Sequence, residues 1–341
     1  DKTPALPRLS HANAAPPLQA AGGPLGVRAM RAATALVLAL GAALLRMALR
    51  AGVRSQHRLD VTPLDTAPVA ADDVAHALAR TIRHQTISRS REEPLPAEAF
   101  EALHQELSAL FPRVHASLEL ERLGDHSLLY TWRGNAPELA PVILVAHQDV
   151  VPVEPGTEDA WSQPPFSGAV TVGEVWGRGA IDDKSSLVAI LTAVEDLLAE
   201  GFLPRRPLLL AIGHDEEIGG EAGARVIAAE LASRGVRAAL VLDEGGVVSD
   251  GVLPGLGPVA LVGVAEKGAV SLELMAEAPG GHSSMPPSQS AIGIVAEAVR
   301  RLETRRPSAR LVQPTRATLK TLAPELPLLH RLVLANADVL E

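Results

Sequence analysis

Three short, continuously apolar runs constrain the fold of this chain more than any other feature. They cover residues 141–146, 207–212 and 238–242. Runs of this length without polar residues are typical of strands buried on both faces of a sheet. Amphipathic helical patterns at 185–200 and 221–234 separate them. Strands that alternate with helices predict an α/β fold with a mostly parallel sheet sandwiched by helices.

Residues able to bind metal follow each apolar run. These are His147 and Asp149, then Asp215, Glu216 and Glu217, then Asp243 and Glu244. In open α/β sheets, sites form outside the carboxyl ends of the strands, so these segments are expected to meet in one crevice. A fourth acidic group, Asp182-Asp183, follows a glycine-bearing loop and precedes a predicted helix.

Each of these groups alone has an ordinary structural explanation. Asp182 and Asp183 are suitable helix N-cap residues, and the acids at 215–217 suit a solvated turn. A single histidine at a strand end is more often hydrogen-bonded than bound to metal. Independent surface residues have no reason to follow every apolar strand in turn, however, so the joint occurrence favours one shared metal site.

Composition narrows the chemistry. The chain of 341 residues contains no cysteine, so a metal has to be held by histidine and carboxylates. Its formal net charge of -9 and its 2% aromatic content argue against nucleic-acid binding.

The N-terminal part contains an export-like segment. Residues 1–29 are rich in Pro, Ala and Gly and are interpreted as a disordered or non-native leader. Residues 30–52 combine basic residues with an apolar run, a pattern typical of a signal peptide or membrane anchor; an ordinary amphipathic helix is the alternative. The spacing at 71–87 and 97–110 predicts two surface helices.

Six motifs together resemble the di-zinc metallopeptidase family that contains carboxypeptidase S, glutamate carboxypeptidase, aminoacylase and the N-fatty-acyl amino acid hydrolases. The motifs lie at 146–152, 161–166, 177–184, 215–220, 242–246 and 280–286.

The resemblance implies a role for each matching residue. His147, Asp182 and Asp243 would bind one zinc ion, and Asp182 would bridge to a second zinc held by Glu217.

Three further roles follow from the same resemblance. Asp149 would orient the imidazole of the metal-bound histidine, and Glu216 would be the general base. His282 would complete oxyanion binding, often from a partner subunit; a turn histidine is the alternative.

The resemblance also implies a domain organisation. Residues 60–265 would form the zinc-binding catalytic domain, and residues 266–341 would form an inserted, smaller α+β lid and dimerisation domain. That domain is predicted to contain a strand at 269–276 and a helix at 291–303, and to form a homodimer. The final zinc-binding histidine of the family has no match, because His330 lacks its motif, so the chain is expected to be truncated.

The implied activity is hydrolysis of an amide or peptide bond by metal-activated water, by a membrane-anchored, secreted or periplasmic protein. Two alternatives stay open within this activity, a peptide carboxypeptidase and an N-acyl amino acid hydrolase. A contrasting alternative is a catalytically inactive binding or scaffold protein that keeps the fold.

Overall fold

The structure is a computed structural model that describes residues 24–54, 62, 69–251, 256–268, 270–282, 284–285 and 287–337. The chain divides into two compact units. One unit comprises residues 63–246, and the other comprises residues 1–62 with residues 247–341. The predicted boundaries at 60, 265 and 266 stay a prediction, and most of the predicted leader, residues 1–23, lies outside the described residues.

Helices and strands alternate through the first of these units. Its helices are α2 (Ala71–Ile82), α3 (Ala97–Leu110), α4 (Pro112–Ser117), α5 (Lys184–Ala199) and α6 (Ala224–Ser233). Its strands are β1 (Glu119–Leu123), β2 (Ser127–Trp132), β3 (Val142–His147), β4 (Ala169–Thr171), β5 (Glu174–Trp176), β6 (Leu208–Gly213) and β7 (Leu240–Leu242). Short 3-10 turns lie at Glu158–Ala160 and Glu216–Ile218. The three apolar runs are therefore β3, β6 and β7, as predicted.

Five strands form the central sheet, in the order β1-β2-β6-β3-β7. Strand β3 pairs in parallel with both β6 and β7, whereas β2 is antiparallel to β6 and to β1. Four of the five strands consequently point the same way, which confirms the prediction of a mostly parallel sheet in an α/β fold. Strands β4 and β5 form a separate hairpin.

Strand β6 is buried on both faces of the sheet. Leu210 and Ile212 face the larger core with α5, and Leu209 and Ala211 face a second core with α6. Burying one leucine or isoleucine side chain stabilises the fold by about 1.5–3 kcal/mol. Two-sided burial explains the unbroken apolar run, because polar residues on either face would lack partners.

Helix α2 ends at Ile82, five residues earlier than the pattern at 71–87 predicts. The chain then turns back and runs beside the end of β3, with a parallel bridge between Ile87 and Val150. Val150 N donates to Thr86 O (2.9 Å), and Ser88 N donates to Val150 O (3.0 Å). Pairing with β3 therefore replaces the last helical turn, and residues 86–91 are called the flanking segment below.

The other unit contains α1 (Pro24–Arg54), β8 (Val247–Ser249), β9 (Val259–Leu261), α7 (Ala291–Thr304), α8 (Gln313–Leu322), a 3-10 turn (Ala323–Glu325) and α9 (Leu328–Leu334). Strands β8 and β9 pair antiparallel, and helix α7 matches the prediction for 291–303. Within α1, Arg28–Gly52 is long and apolar enough to cross a membrane. The base of α1 packs on the C-terminal helices, where Asn336 Nδ2 donates to Met47 O (3.1 Å).

The predicted strand at 269–276 is wrong for its described part. Residues 270–276 form no strand, and residue 269 lies outside the described residues. Val270 and Leu272 are exposed, and among the described residues no strand pairs with this segment. A strand without a partner leaves its backbone groups without sheet hydrogen bonds, so the apolar pattern alone does not form one.

Candidate metal centre

The candidate metal centre forms where β3, β6 and β7 end. His147 is the last residue of β3, and Glu216 and Glu217 lie in the 3-10 turn three residues after β6. Asp182 and Asp183, joined by a cis peptide bond, directly precede α5. Parallel strands bring these distant segments to one edge of the sheet.

His147 lies at the centre of this group. Its Nε2 lies 2.9 Å from Asp182 Oδ1, 3.4 Å from Glu244 Oε2 and 3.8 Å from Glu216 Oε2. Its other ring nitrogen, Nδ1, lies 2.9 Å from the backbone oxygen of Asp149 and 3.3 Å from Asp149 Oδ1. The ring nitrogen Nε2 therefore lies against exposed carboxylates, whereas Nδ1 lies against buried acceptors.

Two sets of side chains in this group are close enough to share a metal ion. The first is His147, Asp182 and Glu217, and the second is His147, Asp183 and Glu244. In each set the candidate ligand atoms all lie within 4.8 Å of one another. The sequence prediction named three of these five residues as ligands.

Asp149 connects the histidine to the glutamate pair. Its side chain is fully buried, and its two oxygens accept hydrogen bonds from Glu216 N (3.1 Å) and Glu217 N (3.2 Å). The same carboxylate lies beside the His147 ring. One side chain therefore fixes both the imidazole and the backbone of the turn that follows β6.

The environment of His147 favours positive charge. Burial opposes protonation, but the hydrogen bond and negative charge of Asp149, with the charges of Glu244 and Asp183, raise the pKa of His147 to about 10. Without a metal, the imidazolium is the positive charge that these carboxylates attract.

The carboxylates that face His147 are crowded. Burial and the neighbouring acids Asp149 and Asp182 raise the pKa of Glu216 and Glu217, and the positive charge of His147 only partly offsets this. Burial raises the pKa of Asp183, and burial together with the charges of Asp183 and Asp182 raises the pKa of Glu244 to about 8. An excess of oxygen ligands around one imidazole fits a bound divalent cation, and nitrogen with carboxylate ligands is a set that zinc accepts.

Among the described residues Asp243 belongs to neither set of side chains that could share a metal ion. It lines a cavity on the α6 side of the sheet with Ile143, Val145 and Val241, whereas the next residue, Glu244, reaches His147. The charge of Asp243 nevertheless contributes to the raised pKa of Glu216, so this residue also lies near the centre. Asp243 as a ligand stays a prediction, and Glu244 is the acid from β7 that the geometry adds.

His282 and His330, which lie outside residues 63–246, are both exposed. His282 lies in an irregular segment, where its Nδ1 lies 2.8 Å from Ser284 Oγ. His330 lies on α9. The oxyanion role of His282 stays a prediction.

Three residues at this centre received no role from the resemblance, although Asp183 and Glu244 are among the acids noted in the sequence. Asp183 is 1% exposed and accepts a hydrogen bond from His147 N (3.2 Å). Lys184 is fully buried and donates from Nζ to Thr81 O (3.0 Å) and His84 O (2.6 Å), and burial lowers its pKa to about 7. Like Glu244, each stands beside a residue that was singled out, so adjacency was the available signal.

Comparisons with known proteins agree with this description of an α/β protein with a candidate metal centre. The model of peptidase family M20/M25/M40 matches residues 143–320, a little more than half of the chain. The chain therefore belongs to this family.

Individual relatives cover both of the enzyme types expected from the sequence. The chain is 42% identical over 272 residues to an N-fatty-acyl-amino acid synthase/hydrolase of Xenopus tropicalis, covering 79% of this chain and 52% of that protein. It is 40% identical over 274 residues to a probable carboxypeptidase S-like 2 of Dictyostelium discoideum, again covering 79% and 52%. The chain thus spans about half the length of the curated relatives it matches. Among solved structures, an M20 family metallo-carboxypeptidase of Sulfolobus solfataricus is similar, with 24% identity, a TM-score of 0.41 and coverage of 50% of this chain and 37% of that chain.

Proposed function

We propose that this chain carries the metal centre of a zinc-dependent hydrolase that cleaves amide bonds next to amino acids. The observation that supports this most directly is the placement of three carboxylates within 4 Å of His147 Nε2, with Glu217 in the same group. Family membership supports the reaction class.

We propose two zinc ions, as the resemblance implies, although the two sets of side chains found in the structure share His147. We assign Asp182 as the shared carboxylate, with His147 on one side and Glu217 on the other. The remaining carboxylate of the His147 site comes from the end of β7; the resemblance favours Asp243, and the observed distances favour Glu244.

When bound, zinc supplies a Lewis acid that polarises a carbonyl and makes hydroxide available near neutral pH. Glu216 is the general base in this proposal, because its carboxylate faces the centre and its pKa is raised toward the range in which a base is effective. It accepts a proton from the attacking water and returns it to the leaving amine. Asp149 holds both His147 and the backbone of Glu216 in place.

The proposed substrates are N-acyl amino acids and peptides, because the relatives include an N-fatty-acyl-amino acid synthase/hydrolase and a carboxypeptidase S-like protein. Both groups of substrates contain an amide beside a carboxylate-bearing residue.

We further propose that α1 is a signal or anchor segment and that the centre functions at a membrane or outside the cytoplasm. The support is the apolar span Arg28–Gly52, most of whose side chains are exposed. Homodimer formation through residues 266–341 stays a prediction.

Zinc content and hydrolysis of this chain test the proposal together. We expect purified protein to bind zinc and to hydrolyse an N-acyl amino acid or a dipeptide, and a chelator to abolish both. Comparing the two substrates separates the amino acid amidase from the carboxypeptidase. Absence of bound zinc at micromolar metal would overturn the site, whereas bound zinc without hydrolysis of either substrate would favour the inactive scaffold.

A further inference from the structure

The turn that carries Glu216 and Glu217 is held at both of its ends. At its start, the backbone amides of both glutamates donate to Asp149. At its end, Arg91 Nε donates to the carbonyl of Ile218 (2.8 Å). Arg91 comes from a part of the chain 127 residues away, so this contact is a tertiary restraint on the turn.

The residue after the turn leaves room for this contact. Gly219 has φ +103°, a left-handed conformation that favours glycine. A Cβ atom built at Gly219 would overlap the Arg91 guanidinium. The guanidinium therefore lies directly against the backbone of the turn.

Arg91 is also attached to the strand that carries His147. It is the last residue of the flanking segment, in which Thr86 Oγ1 donates to Gln148 O (2.6 Å) and Ser88 N donates to Val150 O (3.0 Å). These bonds fix the segment to the residues directly after His147. The segment precedes the part of the chain that the family model matches, which begins at residue 143.

We propose that Arg91 is a positioning residue that ties the Glu216–Glu217 turn to the end of β3 and so sets the distance of both glutamates from His147. This inference rests on the proposed function of the two glutamates. A guanidinium suits this role because its planar fork stays charged and directs its N–H groups at a fixed angle.

The test compares Arg91→Ala with Arg89→Ala, which removes the same charge from an exposed residue of the same segment. Amide hydrogen exchange of metal-free protein is measured at Gly219 and Gly220, whose N–H groups close the turn on Glu216 O and Asp215 O. For Arg91→Ala we expect exchange about tenfold faster at these amides, the equivalent of about 1.4 kcal/mol for one charge-assisted hydrogen bond. Arg89→Ala should leave both rates within about twofold, and the thermal midpoints of the two variants should agree.

Zinc titration of the same variants shows whether the position of the turn affects the zinc affinity of the centre. We expect Arg91→Ala to weaken the site that contains Glu217 about tenfold, and Arg91→Lys to restore part of the loss, because a lysine provides a cation but not the planar fork. Equal exchange rates and equal zinc affinities in Arg91→Ala and Arg89→Ala would overturn the positioning role. If the unsubstituted chain binds no zinc, the proposed function fails, while the exchange comparison still decides whether Arg91 holds the turn.

A double-mutant cycle with Gly219→Ala provides the matched control for the contact itself. Alanine at this left-handed position is strained in every background, but only in the presence of Arg91 does it also displace the guanidinium. We expect Gly219→Ala to accelerate exchange more in the unsubstituted chain than in Arg91→Ala. An equal effect in both backgrounds would show that the two residues do not interact.

Discussion

Acidic residues follow both β6 and β7, yet the two strands hold those acids in different ways. Strand β6 has a neighbour on each side, and five of its six residues are buried. Strand β7 lies at the edge of the sheet, pairs only with β3, and leaves Leu240, Val241 and Leu242 more than half exposed.

The difference continues into the residues that follow each strand. After β6, the backbone of the glutamate turn is held by hydrogen bonds that it donates to Asp149 and by one that it accepts from Arg91. After β7, Asp243 accepts a hydrogen bond only from its neighbour Glu244 N (2.9 Å) among the described residues, and Glu244 approaches His147 by its charge. Acids after β6 are thus held through their backbone, whereas Glu244 after β7 meets His147 and Asp183 through its side chain.

The largest expected effect concerns the scaffold-held base. Glu216→Gln preserves the shape of the side chain but removes its ability to accept a proton, so we expect kcat to fall by about 10²–10⁴-fold while zinc stays bound. Zinc content and turnover of an N-acyl amino acid are the measurements. Glu221→Gln, an exposed acid that pairs with Arg225, is the control and should retain its rate. Hydrolysis at the original rate in Glu216→Gln would remove Glu216 from the mechanism.

A smaller effect, on zinc affinity, distinguishes between Asp243 and Glu244 as the ligand from the end of β7. Because Glu244 reaches His147 and Asp243 belongs to neither set of candidate ligands, we expect Glu244→Gln to weaken zinc binding at the His147 site by about 10–100-fold. Asp243→Asn should change it by less than about threefold, within the range of a surface substitution. Zinc titration of both variants is the measurement. A larger loss in Asp243→Asn would show that β7 turns its end when metal binds, as the sequence resemblance implies.

The smallest expected effect is on stability against acid at the end of β6. His104 Nε2 lies 2.7 Å from Gln148 Oε1, and Gln148 Nε2 donates to Gly213 O (3.1 Å), the last residue of β6. Burial lowers the pKa of His104 below its ordinary value of 6.5, and the charges of Arg122 and His126 lower it further. The hydrogen bond with Gln148 and the charge of Glu101 raise this pKa but do not offset the burial.

The lowered pKa of His104 determines how the free energy of unfolding changes with pH. Below about pH 6.5 the unfolded chain takes up a proton that folded His104 resists, so the free energy of unfolding falls as the pH falls. One such group contributes at most about 1.4 kcal/mol per pH unit. We expect His104→Gln to lose less stability between pH 7 and pH 5 than the unsubstituted chain, measured by denaturant unfolding. His76→Gln, at an exposed position on α2, is the control, and identical losses in all three proteins would contradict the assignment.

Sequence reasoning succeeded where a residue pattern and a tertiary environment agree. Strand β6 was predicted because two-sided burial requires an unbroken apolar sequence, whereas β7 forms at its predicted place although its residues are exposed. Helices α5 and α6 begin and end within about three residues of their patterns. Strands β1 and β2 were not predicted, because β1 carries exposed charged residues and the place of β2 depends on its pairing with β6, which belongs to tertiary structure. The choice between Asp243 and Glu244 depends on the direction of side chains after a three-residue strand, which an acidic pair in the sequence does not specify.

The opposite directions of adjacent residues also determine which changes of chain length this centre tolerates. Asp182 presents a carboxylate that is 65% exposed, and the next residue, Asp183, is buried behind it. Inserting or deleting one residue inside this segment would exchange the outward and inward acids, so charge and composition would survive while the geometry of the centre was lost. Insertions in the exposed connection between α5 and β6 would not shift any of these pairs. Variation in length among proteins that keep this chemistry is therefore expected in the connections and not inside the acidic segments.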